Sequence, residues 1–132
     1  MKHLMQLVLF ALLLGTGTAA AQMRGSEVCR YRGNVGPYAV TMILDTTYSH
    51  SCGQEFVDYE GSYSYSKAGN SLRLEGYSID SGKIILQEYT AKGRNSATWQ
   101  LTEDRSGNLS GIFINNSSKK TFKVSLRRIS RK

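Results

Sequence analysis

The residues able to do acid–base, nucleophilic or metal chemistry are few. Glu55, Asp58 and Glu60 fall close together, and a glycoside hydrolase needs two carboxylates flanking the scissile bond. Asp58 and Glu60 share a strand parity, about 6.8 Å apart on an extended chain, nominally the spacing of an inverting enzyme. That parity continues through Ser62 and Ser64, a solvated face, so catalysis is the least supported reading. His50 stands between Ser49 and Ser51, but sequence neighbours cannot by themselves form the nucleophile, base and orienting carboxylate of a hydrolase. His50, the one histidine after residue 21, with Cys29 and Cys52 also falls short of the three or four nitrogen and sulfur ligands that zinc takes. No catalytic residue, metal or cofactor is therefore expected.

Two further features bear on binding. Glu88 follows Ile84 and Leu86 on one parity, where an ionised carboxylate is costly unless it is partnered. It is expected at a strand end or rim, beside Arg or Tyr partners, and open to a ligand contact. Tyr59, Tyr63 and Tyr65 share a second parity, and Tyr77 and Tyr89 lie on nearby segments. They form either an aromatic binding surface, where tyrosine is enriched, or half-buried residues completing a core.

The segments that must position these groups alternate with period two. Tyr38, Val40, Met42 and Leu44 define one inward row, and Leu72 with Leu74, Ile84 with Leu86, Trp99 with Leu101, Leu109 with Phe113, and Phe122, Val124 and Leu126 define others. This is strand periodicity. Eight strands are expected: 28–35, 38–45, 59–66, 71–77, 83–90, 96–102, 108–115 and 119–128. Gly36 and Pro37 make the first turn, and 46–58 is expected as the longest irregular connection. Short links favour neighbour-to-neighbour antiparallel pairing, so the fold class is all-β, an eight-stranded meander closed as a small barrel or flattened as a sandwich. The bulk of the inward set points to a filled interior.

The N-terminus gives an address. Lys2 and His3 precede the apolar run 7–14, and Ala19, Ala20 and Ala21 supply a small-residue cleavage site before Gln22, the pattern of an export signal. The run is too short to span a bilayer, which takes about 20 apolar residues. Residues 1–21 are thus expected to be removed, leaving 22–132 as one periplasmic or secreted domain. In that compartment Cys29 and Cys52 are expected to form a disulfide, which would stabilise the fold by about 3 kcal/mol.

The net charge is +7, or +6 without Lys2, and Lys119, Lys120, Lys123, Arg127 and Arg128 concentrate it near the C-terminus. The excess serves either an anionic partner, such as an acidic protein or an envelope polymer, or a solvated basic strand. Nucleic acid is excluded by the address and because aromatic residues do not interleave with the basic cluster.

The stretch Glu60-Gly61-Ser62-Tyr63-Ser64-Tyr65, in a small exported β-domain with an early cysteine pair, resembles the bacterial periplasmic lysozyme inhibitors. Their eight-stranded folds carry a Ser-Gly-x-x-Tyr or similar loop, and Glu60 stands where that motif has serine. The resemblance implies a non-enzymatic, protein-binding role. The leading expectation is a macromolecule-binding protein of inhibitor, immunity or envelope-accessory type. It would use His50, Tyr59, Tyr63, Tyr65 and Tyr77, with the basic strand as an electrostatic aid. The rival is a carrier whose barrel stays partly open and holds a small apolar ligand, with Trp99 and Glu88 near its mouth.

Overall fold

In a computed structural model of the chain, which describes residues 24–51, 54–67, 69–79 and 82–131, the alternating segments become eight strands. They are β1 (Arg24–Val35), β2 (Tyr38–Ser51), β3 (Gln54–Tyr65), β4 (Ser71–Ser78), β5 (Lys83–Tyr89), β6 (Asn95–Glu103), β7 (Leu109–Asn115) and β8 (Thr121–Arg131). Each pairs antiparallel with the next, and β8 pairs with β1 from Cys29 to Val35 to close a barrel, so each strand has a neighbour on both sides over its central part. No helix among the described residues is long and apolar enough to cross a membrane. The outer wall exposes Arg30, Arg32, Asp45, Asp58, Glu60, Arg73, Lys123 and Arg127, the opposite of the apolar band a lipid-facing barrel presents.

The expected connection at 46–58 is instead a continuation of two strands. Thr46 pairs with Tyr59 and Tyr48 with Val57, so β2 and β3 run on to Ser51 and Gln54. Thr46 is buried at the inward parity. The signal fades there because inward positions near an open end meet water and polar groups, so apolar alternation stops before the backbone ladder does.

The inward residues pack the middle of the barrel solid. Met42, Leu44, Leu74, Leu86, Trp99, Leu101, Leu109 and Leu126 are almost fully buried. Small residues on the same parity let the wall coil tightly: a Cβ at Gly61 would overlap the carbonyl oxygen of Ile43, and one at Gly76 that of Ile85. Glycine at such close approaches is how a short sheet bends into a narrow barrel.

The disulfide expectation is corrected. Cys29 is a free, buried thiol, and Cys52, like residues 1–21 with the candidate export signal, lies outside the described residues. Cys29 stands opposite Leu44, and β2 continues to Ser51. Seven residues of strand carry the chain about 23 Å onward at ~3.3 Å per residue, whereas a disulfide needs Cα atoms about 4.4–6.8 Å apart. The extension of β2 thus carries the chain away from Cys29 where a loop would have folded back.

Candidate functional site

The filled interior holds for the middle of the barrel and not for its ends. At the end carrying the β1–β2, β3–β4, β5–β6 and β7–β8 turns, a cavity of about 870 Å³ opens to solvent. Its wall includes Tyr38, Tyr63, Tyr65, Leu72, Phe113 and Phe122, with Glu88 inside and Lys67 and Lys120 at the mouth.

The aromatic side chains form a closed circuit. Tyr38 meets Tyr65 at 5.9 Å between ring centroids, Tyr65 meets Tyr63 at 5.4 Å, and Tyr63 meets Trp99 at 4.8 Å. Trp99 meets Phe113 at 5.1 Å, Phe113 meets Phe122 at 6.2 Å, and Phe122 returns to Tyr38 at 6.1 Å. Five of the contacts are edge-to-face, the arrangement favoured by the ring quadrupoles. Trp99, fully buried, does not line the cavity and closes the circuit beneath it. Among the described residues its indole N–H has no hydrogen-bond acceptor, and the rings of Tyr63 and Phe113 pack edge-to-face against the indole.

Glu88 is only 5% exposed. The phenol of Tyr63 donates to its Oε1, and the hydroxyl of Ser96 donates to its Oε2 at 2.5 Å. Burial first, and then the bond to Glu88, push the Tyr63 phenol far above its ordinary pKa, which keeps it a donor. A register irregularity in the β5–β6 pairing falls between Glu88 and Tyr89, and such bulges re-aim side chains beside functional sites. The expected tyrosine partner of Glu88 is thus present, and Glu88 lines the cavity.

The opposite end holds a smaller cavity of about 210 Å³, lined by Glu27, Cys29, Tyr31, Thr46, Tyr48, Tyr59 and Glu103 among others. Tyr48 donates to Glu27 Oε1 at 3.0 Å. Burial, followed by that bond, pushes its phenol up to about 12. Tyr31 and Tyr59 are raised, chiefly by burial. Burial also raises the Cys29 thiol, the reverse of what a reactive cysteine needs.

The residues expected to form one binding face are thus distributed. Tyr63 and Tyr65 belong to the large cavity, Tyr59 to the small one, and Tyr77 is exposed on the outer wall. The backbone of His50 lies near the end of β2, opposite Glu55. Asp58 and Glu60 are exposed on the outer wall, where Glu60 stands between Asp45 and Glu75 of the neighbouring strands. The Gly61 to Tyr65 stretch is strand, with Tyr63 turned inward.

The basic residues also separate. Lys119 and Lys120 lie in the β7–β8 connection, Lys123 and Arg127 are exposed on β8, and Arg128 is half-buried, its backbone N–H donating to Asn108 Oδ1 at 3.1 Å. Barrel closure sets Arg32 directly opposite Arg127. Arg30 and Arg32 were not identified from sequence as partners of the basic strand, because strand order alone does not say that the first and last strands meet. Ser96 was missed as well, and the one clue to it was that an inward Glu88 requires donors.

Fold and site together define a class: a closed eight-stranded meander barrel with a packed middle and an aromatic cavity open at one end. No protein-family model, no curated protein and no solved structure matches the chain.

Proposed function

We propose that the protein is a non-catalytic, exported small-molecule carrier that holds an apolar or amphipathic ligand in the large end cavity. The observation that carries this reading is the open, aromatic-walled cavity of about 870 Å³ above the packed middle of the barrel. Small-molecule sites commonly span about 300–1,000 Å³, are lined mostly by apolar and aromatic side chains, and hold a few fixed polar groups. Glu88, Tyr63 and Ser96 would supply those polar groups. The sole tryptophan, Trp99, lies one ring contact from the lining residues Tyr63 and Phe113, so occupancy should alter its emission.

The test is titration of residues 22–132 with a hydrophobic fluorescent naphthylamine, reading both dye and Trp99 emission. Saturable binding that is lost in Leu72→Trp, which fills the lining, is expected. Binding unchanged by that substitution would refute the reading. Export predicts an intact mass beginning at Gln22.

A second reading, attachment to an anionic envelope polymer, draws support from the seam where the barrel closes. Arg32 faces Arg127 across the β1–β8 ladder, and Arg30, Arg32, Lys123 and Arg127 are exposed. Like charges directly opposite are destabilising unless compensated. A phosphorylated or sulfated polymer would compensate them through the forked guanidinium groups. Retention on such a polymer that weakens with salt and is lost in Arg32→Gln/Arg127→Gln is expected. Retention equal to wild type would remove this reading.

A further inference from the structure

Around Glu88 two hydrogen-bond donors are in place and a counter-charge is not. Both donors to its carboxylate, the Tyr63 phenol and the Ser96 hydroxyl, are neutral. A carboxylate offers about four acceptor positions, so these two leave about half of them open. Among the described residues, Arg73 pairs with Glu75 on exposed surface, and no cationic side chain is paired with Glu88. Lys67 and Lys120 line the same cavity but are exposed at its mouth. A carboxylate 5% exposed without a counter-charge is costly.

The wall around this carboxylate is aromatic on several sides. Tyr38, Tyr63, Tyr65, Phe113 and Phe122 line the cavity, and ring faces carry the negative part of the aromatic quadrupole. A carboxylate within such a wall favours positive charge twice, by Coulomb attraction and by cation–π contact. It does not favour every cation. A metal ion or a primary ammonium gives up strong hydration on entering, and the aromatic wall offers no oxygen ligands in exchange. An alkylated ammonium spreads its charge over methyl and methylene groups, holds water weakly and presents the apolar surface that this cavity would bury.

We infer that the ligand of the end cavity is a soft organic cation, an alkylated ammonium bearing an apolar or aromatic substituent, with its charged nitrogen held against Glu88 inside the aromatic circuit. The inference rests on the reading that this cavity is the binding site. The rim lysines oppose such a ligand weakly, because exposed charges are screened over about 8 Å at physiological ionic strength, whereas a buried pair is screened much less.

The experiment compares two probes of nearly the same shape on the native protein: benzyltrimethylammonium, and neopentylbenzene, in which carbon replaces the charged nitrogen. Binding is read by Trp99 emission and by calorimetry. The cation is expected to bind at least about tenfold more tightly than its neutral isostere, as a desolvated cation–π contact with a buried carboxylate implies. In Glu88→Gln that ratio should fall towards unity while the isostere binds as before. Equal binding of the two probes by wild-type protein would overturn the inference and leave the carrier reading intact. If neither probe nor the naphthylamine dye binds, both fall. Should Glu88→Gln fail to fold, the wild-type comparison still decides.

Discussion

Changing Tyr63 to Phe deletes one oxygen atom and leaves the ring that packs against Trp99 and Tyr65. The deleted hydroxyl is one of two protein donors to Glu88. With Tyr63 2% and Glu88 5% exposed, water can replace it only by entering from the cavity. A hydrogen bond to a charged group contributes about 1.5–3 kcal/mol net, so Tyr63→Phe should cost about 2 kcal/mol. In urea, with a slope of about 1–2 kcal/mol per molar for a chain of this size, the midpoint should fall by about 1–2 M. The assay is equilibrium unfolding followed by Trp99 emission.

A double-mutant cycle sharpens the test. Glu88→Gln removes the charge that strengthens the bond, so once Gln stands at 88, losing the phenol should cost about 1 kcal/mol less. Residues in direct contact show couplings of about 0.5–3 kcal/mol, whereas independent sites add within about 0.5 kcal/mol. A Tyr63→Phe effect below about 0.5 kcal/mol, with no coupling to Glu88, would refute the claim that this hydroxyl supports a buried carboxylate.

Gly61→Ala should destabilise by about 2 kcal/mol or more, as overpacking does, because the new methyl meets the backbone oxygen of Ile43 well inside the 3.0 Å that real Cβ atoms keep. Gly25→Ala, with nothing within 4 Å, should stay within about 0.5 kcal/mol in the same urea assay. Tyr48, raised to about 12, should stay protonated in the native protein as exposed phenols ionise near pH 10, which absorbance titration near 295 nm would show. The unfolded chain then releases this proton before the folded one does. The stability it contributes is therefore present below about pH 10 and lost as pH rises from about 10 to 12, which urea midpoints across that range would check. Cys29 should be unlinked in non-reducing peptide maps and should react with iodoacetamide far more slowly in native than in unfolded protein, since burial withholds both access and the thiolate. A Cys29-containing disulfide peptide would contradict the free thiol.

Much of the inward set was legible because period-two alternation is local. Val40, Met42, Leu44, Leu74, Leu86, Trp99 and Leu101 are all buried as their parity required. The same rule turned Tyr63 inward and left Asp58 and Glu60 exposed. It failed at 46–58, where barrel ends replace apolar inward residues with Thr46 and Tyr48 and the alternation loses contrast. The cysteine pairing was not legible because compartment chemistry proposes a pair without knowing that β2 runs on to Ser51, well past the residue opposite Cys29. The tyrosines show the limit of parity most directly. Tyr59 and Tyr63 share a face, yet they line cavities at opposite ends of the barrel.

Sequence alone therefore determined the strand class, most of the strand order along the chain and which side of each strand faces in. These follow from side-chain alternation and turn residues within a few positions of one another. Tertiary structure decided how deep each inward residue lies, which end stays open, that Ser96 and Tyr63 converge on Glu88, and that Arg32 meets Arg127. These depend on register and closure, which join residues far apart in the chain through a backbone ladder that carries little side-chain identity of its own.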